Sequence, residues 1–212
     1  STRPGSEPVP VEEEIRRVVP VIEAIRAAGD AVISVDTRNR RTAERALDAG
    51  ADIVNDISAL SHDPGMARLV AERGVPVVLM HMRGTPKTMQ DLAVYRDTVA
   101  EVLAELGASV EAAIAAGVSP QRIIVDPGIG FAKKTEDNLR LLRGLAAFRS
   151  LGMPILVGLS RKRFIGDVTG SPVEERLAGT VAANTLAVLA GADIVRVHDV
   201  GAAVAMVRLV DA

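Results

Sequence analysis

Six short apolar runs alternate with longer amphipathic stretches, and this alternation limits the fold more than any other feature. The runs are AVISVD (31–36), DIVNDI (52–57), VPVVLMH (75–81), RIIVDPG (122–128), PILVGLS (154–160) and DIVRVHDV (193–200). Each is nearly all apolar and rich in β-branched residues, as expected of strands buried on both faces. Helical spacing fills the intervals, as in 98–117 and 173–191, and 202–210 closes the chain. Strand–helix–strand alternation implies a parallel sheet with helical crossovers. The joints also echo one another. AGADIV stands at 49–54 and again at 190–195, with looser versions at 27–35, 72–80 and 151–158. A glycine after each helix suits the left-handed C-terminal position, so one unit is reused around a sheet.

Six parallel strands fit an open doubly wound sheet or part of a (β/α)8 barrel. An open dinucleotide-binding sheet carries a Gly-rich turn after its first strand, and neither G-x-G-x-x-G nor a Walker A sequence is present. Every run instead ends in polar residues: Asp36-Thr37, Asn55-Asp56, His81, Asp126, Ser160-Arg161-Lys162 and His198-Asp199. A barrel builds its active site at the C-terminal ends of its strands, so the pattern favours the barrel. The six units are expected to be strands three to eight, with two strands and the first helix upstream of Ser1. The helix over 11–29 is expected to kink at Pro20. A length of 212 residues suits a single domain, 1–212.

Composition excludes several functions. With no cysteine, disulfide scaffolds, thiolate metal sites and cysteine nucleophiles are ruled out. Four aromatic residues and a net charge of −2 argue against nucleic-acid binding. No apolar run approaches a membrane span of about 18 residues, and the polar 1–14 segment is not a signal peptide. A soluble, cytoplasmic α/β protein is expected. His62, His81 and His198 lack zinc-ligand spacing; His81 is expected to be structural.

Several polar residues stand out by place. On 193–200, Ile194, Arg196 and His198 share one strand face. A charged Arg within a buried strand is either ion-paired at the barrel end or faces an anion. Ser160, Arg161 and Lys162 lie where barrel loops bind phosphate; the alternative is a solvated basic loop with Arg163. Asp36, Asn55 and Asp126 end three other strands. A carboxylate and a carboxamide together can read a heterocycle's N–H and acceptor groups, although each alone could be a helix N-cap. Asp126 opens DPGIGF, a turn whose glycines allow close backbone approach. Met82 lies where a flat ligand can pack. Asp63-Pro64 and Ser171-Pro172-Val173-Glu174 are expected to start helices, the second as a capping box.

The blocks STRPG (1–5), SVDT (34–37), GADIVNDI (50–57), MHMRGTPKTMQ (80–90), DPGIGF (126–131), GLSRKRFIG (158–166), ERLAGT (175–180) and RVHDV (196–200) resemble, in order and spacing, those of the dihydropteroate synthases. These are (β/α)8 barrels of folate biosynthesis. The resemblance covers nearly the whole chain and implies a reaction in which p-aminobenzoate displaces pyrophosphate from 6-hydroxymethyl-7,8-dihydropterin pyrophosphate. It implies that Asp36, Asn55, Asp126 and Lys162 hold the pterin, with Met82 and Gly158 packing near it. Arg196 and His198 would bind the pyrophosphate. Thr2, Arg3, Pro4, Phe131 and Ser160 would surround p-aminobenzoate. Asp126, Lys162, Arg196 and His198 would carry catalysis, pyrophosphate leaving before the arylamine attacks. It further implies Mg2+, with the family's Asn ligand in a first loop that this sequence does not contain, and a homodimer through late helices. The family often has glycine where Ala132 stands. A corrinoid-dependent methyltransferase barrel and a non-catalytic pterin-binding paralogue share parts of the pattern. The SRK loop together with RVHDV speaks for a diphosphate leaving group.

Overall fold

The computed structural model describes residues 9–212. Helix α1 (Val11–Ala28) leads into strand β1 (Ser34–Asp36), followed by α2 (Arg40–Asp48), β2 (Ile53–Asp56), α3 (Met66–Arg73), β3 (Val77–Met80), α4 (Thr98–Ala115) and β4 (Ile123–Asp126). After them come α5 (Thr135–Arg143), β5 (Leu156–Val157), α6 (Arg163–Thr169), α7 (Leu177–Leu189), β6 (Ile194–Val195) and α8 (Val200–Val210). All six expected strands are present, in parallel and in consecutive order, β1 to β4 in one sheet and β5–β6 in a second. A single bridge, Val125↔Ile155, joins the two sheets. The fold is that of a TIM barrel: parallel strands inside, helices outside, and an arc that does not close between β6 and β1 among the described residues.

The repeated AGADIV segments fold alike, for a visible reason. In the first, Gly50 takes φ 106°, Asp52 Oδ2 accepts from the Ile33 amide at 2.8 Å, and the amides of Asp52 and Ile53 both reach the Ile33 carbonyl. In the second, Gly191 takes φ 98°, Asp193 Oδ2 accepts from the Ile155 amide at 2.8 Å, and the amides of Asp193 and Ile194 reach the Ile155 carbonyl. The glycine turns the chain out of a helix where a Cβ would be strained. The aspartate then pins the incoming strand to the one before it.

Val54, Val77, Leu79, Val125, Ile155, Leu106 and Phe148 belong to one buried cluster between strands and helices. Burial of such side chains contributes roughly 1.5–3 kcal/mol each. Among the described residues, no helix is long and apolar enough to cross a membrane.

Helix α1 continues through Pro20, whose exposed position lets the carbonyl left without its donor meet water. Of the local expectations at helix starts, one is revised and one holds. Ser171 is not a cap: Pro172 precedes a short 3-10 turn over Val173–Glu175, and α7 starts only at Leu177. Asp63 does help start a helix, three residues ahead of its first residue, Met66. Its Oδ1 accepts from the Gly65 amide at 3.0 Å, and Oδ2 from the Arg40 amide at 2.9 Å.

Candidate active site

In parallel strands every C-terminal end lies on one rim, so the polar residues that end the apolar runs gather there. Asp36 pairs in register with Asn55, and Met80 with Asp126. None of Asp36, Asn55 and Asp126 is a helix N-cap, because Asn39, Gly65 and Lys134 hold those positions. Asn55 is buried, and its Nδ2 has no hydrogen-bond partner. Its neighbour Asp56 faces the other way and is consumed by the turn, accepting from the Ser58 amide (2.7 Å), the Ser58 hydroxyl (2.6 Å) and the Leu60 amide (3.2 Å). The Asn55 amide lies toward the Asp36 carboxyl, whose pKa it helps to lower, without a well-formed hydrogen bond, and a buried donor so placed costs about 1–3 kcal/mol until a better acceptor is offered.

Asp126 is 2% exposed and accepts from the Gly128 amide at 2.7 Å. Burial pushes its pKa above the ordinary carboxylate value, and Lys162, the Gly128 amide and Arg196 oppose that rise. The second carboxylate oxygen is available to a ligand's N–H group.

Three successive cations go three ways. Arg161, in a left-handed conformation (φ 56°), forks onto Asp199 at 2.7 and 3.1 Å. Its amide donates to the Thr180 hydroxyl at 3.0 Å, and its carbonyl accepts from Arg176 at 3.0 Å. Arg163 is exposed. Lys162 turns inward, donates to the Ile129 carbonyl and stands 4.8 Å from the centre of the Phe131 ring. Burial lowers its pKa to about 8, with Asp126 opposing the fall and Arg196 adding to it. Its stem crosses Gly130, where a Cβ would come within 3.1 Å of Lys162 Cδ. The solvated-loop alternative therefore holds for Arg163 alone.

Arg196 Nη1 donates to Asp36 Oδ2 at 3.2 Å, so the ion pair expected as one alternative does form. It leaves Nε and Nη2 against Gly158, where a Cβ would lie 3.2–3.3 Å from them; the glycine makes room for the guanidinium. Burial raises the Asp36 pKa, and Arg196 offsets part of the rise. Ser160 Oγ accepts from the His198 amide at 3.2 Å and contacts His198 Nδ1 at 2.9 Å. Gly158, Ser160, Lys162, Arg196, Val197 and His198 line a cavity of about 260 Å³. Beside it, Ile57, Met80, Met89, Phe131 and Ala132 form a small apolar cluster with Met82 packed against it. Ala132 has φ 51°, so its methyl costs roughly 1–2 kcal/mol relative to glycine there.

The rim thus collects Asp36, Asn55, Met82, Asp126, Phe131, Gly158, Ser160, Lys162, Arg196 and His198. Thr2, Arg3 and Pro4 lie outside the described residues. One residue next to the site escaped the sequence reading. Lys133 is 3% exposed and bonds the Phe131 carbonyl and His81, yet Lys133-Lys134 carries no mark of which lysine turns in. His81 is structural, as expected, lying between Lys133 and Glu105 at 2.9 Å from each. Among the described residues no three His, Asp or Glu side chains form a group able to hold a metal ion.

A model of the pterin-binding enzymes matches residues 1–198. The dihydropteroate synthase of Synechocystis sp. is 47% identical over 213 residues, covering 100% of this chain and 74% of the relative. The structure of the Thermus thermophilus dihydropteroate synthase in complex with 4-aminobenzoate superposes with a TM-score of 0.92 at 48% identity, covering 100% of this chain and 80% of that one. The Xanthomonas albilineans dihydropteroate synthase in complex with 7,8-dihydropteroate gives a TM-score of 0.89 at 47% identity, covering 97% and 75%.

Proposed function

The chain belongs to the pterin-binding enzymes and, among them, to the dihydropteroate synthases; on that premise we propose how its residues divide the work. The reaction is a transfer. The C–O bond between the pterin methylene and its diphosphate breaks, and pyrophosphate leaves with the electron pair. The same carbon then bonds to the p-aminobenzoate nitrogen, which gives up a proton to solvent, and 7,8-dihydropteroate results.

The observation that carries the assignment of roles is the pairing of acceptor and donor at one rim. A buried Asp126 carboxylate and a buried Asn55 amide without a well-formed hydrogen bond match a heterocycle edge bearing both N–H donors and an acceptor. Asp36 adds a second carboxylate one strand away. Met82 and Gly158 flank the ring. Arg196, Lys162 and His198 border the cavity and oppose the charge that gathers on the departing diphosphate. Asp126 is assigned to steady the electron-poor methylene carbon. Ser160 lines the same space, Phe131 lies beneath Lys162 beside it, and both are assigned to p-aminobenzoate, together with Thr2, Arg3 and Pro4.

Calorimetric titration with 6-hydroxymethyl-7,8-dihydropterin pyrophosphate tests this division. Binding to the folded chain that weakens in Asn55→Ala and Arg196→Ala supports it; a folded chain that binds no pterin diphosphate overturns it. Residues 1–212 are read as one domain, and the cytoplasm as its place of action. Leu186 and Leu189 on α7 and Val200, Val204 and Leu209 on α8 are exposed, which supports pairing of two copies through these helices.

A further inference from the structure

We propose that Lys133 is a positioning residue that grips the Asp126–Phe131 turn from behind and so fixes the direction of the Asp126 carboxylate. The inference rests on the reading of Asp126 as a pterin-binding group.

Burial lowers the Lys133 pKa to about 7, with Asp126 opposing the fall, and a buried amine in either form keeps its place through its hydrogen bonds. Lys133 Nζ donates to the Phe131 carbonyl and to His81 Nδ1, both at 2.9 Å. Both partners are uncharged groups, because burial and the nearby Lys133 hold the His81 pKa down at about 4. With Nδ1 accepting, the network assigns the imidazole proton to Nε2, which meets Glu105 at 2.9 Å. Glu105 is held below the usual carboxylate range, first by Arg83. A continuous chain of contacts therefore anchors the turn to α4.

The turn itself is pressed against His81. The His81 amide donates to the Asp126 carbonyl at 2.9 Å. Gly128 takes φ 69°, and a Cβ there would collide with the His81 carbonyl. Gly130 donates to Asn138 Oδ1 at 2.7 Å, and Phe131 to the Gly128 carbonyl at 3.0 Å. Lys162 holds the Ile129 carbonyl from the cavity side, while Lys133 holds the Phe131 carbonyl from the rear. Two lysines thus hold two carbonyls of one turn, and only Lys162 lines the cavity.

Lys133→Met removes the rear grip at similar length. His81→Leu removes the acceptor but keeps the lysine. His81→Asn restores an acceptor where Nδ1 stands. Lys133→Met and His81→Leu should raise the KM for the pterin diphosphate and lower kcat with it, for a fall in kcat/KM of about tenfold, since a small misplacement of a group that both binds the ring and faces the reacting carbon weakens the productive complex. Amide exchange at Gly128, Gly130 and Phe131 should quicken while β2 stays protected. His81→Asn should recover most of what His81→Leu loses.

Unchanged KM and unchanged exchange in a folded Lys133→Met overturn the proposal. If that variant does not fold, equal behaviour of His81→Leu and His81→Asn overturns it. A wild-type chain that binds no pterin diphosphate would defeat the functional reading instead, and the exchange comparison would still decide the role of Lys133.

Discussion

Arg196, just past the last strand, reaches Asp36 at the end of the first, 3.2 Å away across 160 residues of sequence. Their side chains are 44% and 39% exposed, so the pair contributes at most about 1 kcal/mol to stability. Its importance lies in the site. Arg196→Ala should leave the urea midpoint nearly unchanged while pterin diphosphate affinity falls at least about tenfold, through loss of a charge-assisted contact. A lowered midpoint with unchanged affinity would make Arg196 a scaffold residue.

Asp126→Asn keeps an oxygen for the Gly128 amide but places a donor where the pterin N–H groups need an acceptor. We expect an unchanged circular dichroism spectrum and a fall in kcat/KM of about 10²–10³-fold, the scale of losing one aligned polar group at a reacting centre. Near-normal turnover would remove Asp126 from the mechanism.

Gly74 and Gly128 share a left-handed backbone, φ 62° and 69°, but not their surroundings. An alanine at Gly74 meets nothing within 4 Å and should cost about 1–2 kcal/mol, the conformational penalty alone. Gly128→Ala adds the collision with the His81 carbonyl and should exceed about 4 kcal/mol, in the range of severe core defects. Denaturant unfolding of the two variants side by side measures the difference.

Lys162 loses its proton near pH 8 in the free protein, so pterin diphosphate affinity should decline as pH rises through that value. Lys162→Met should remove this limb. Stability moves the opposite way. An unfolded lysine holds its proton to about pH 10.4, so between pH 8 and 10.4 the unfolded state binds more protons and folding gains as pH rises.

His81 titrates near pH 4 when folded, against 6.5 for an ordinary histidine. Between those values the unfolded chain takes up a proton that the folded chain refuses, so acidification destabilises. The full difference is about 3 kcal/mol, present above pH 6.5 and lost as pH falls toward 4. Urea titrations of wild type and His81→Asn at pH 7 and pH 4.5 should show the wild type losing more stability.

Much of this was legible in the residues. Two-face burial leaves an apolar run, so all six strands could be read. Their lengths could not: 31–36 shrinks to Ser34–Asp36 and 193–200 to Ile194–Val195, because ladder pairing depends on the neighbouring strand. Asp36, Asn55 and Asp126 were visible as polar ends of apolar runs. Lys133 was not. Nothing local separates it from exposed Lys134, and its direction is decided by His81, 52 residues earlier. Ser171 misled because a capping sequence also fits the short 3-10 turn that forms there.

The single bridge between Val125 and Ile155 separates more than two sheets. Asp36, Asn55 and Asp126 belong to the four-stranded side, while Ser160, Lys162, Arg196 and His198 belong to the β5–β6 side. Neighbours within the larger sheet share three or four residue pairs; the seam has one. On the proposed division of roles, a pterin diphosphate would lie across it as a strut, ring toward one side and phosphates toward the other, and breaking the C–O bond would cut that strut in two and leave one piece with each side.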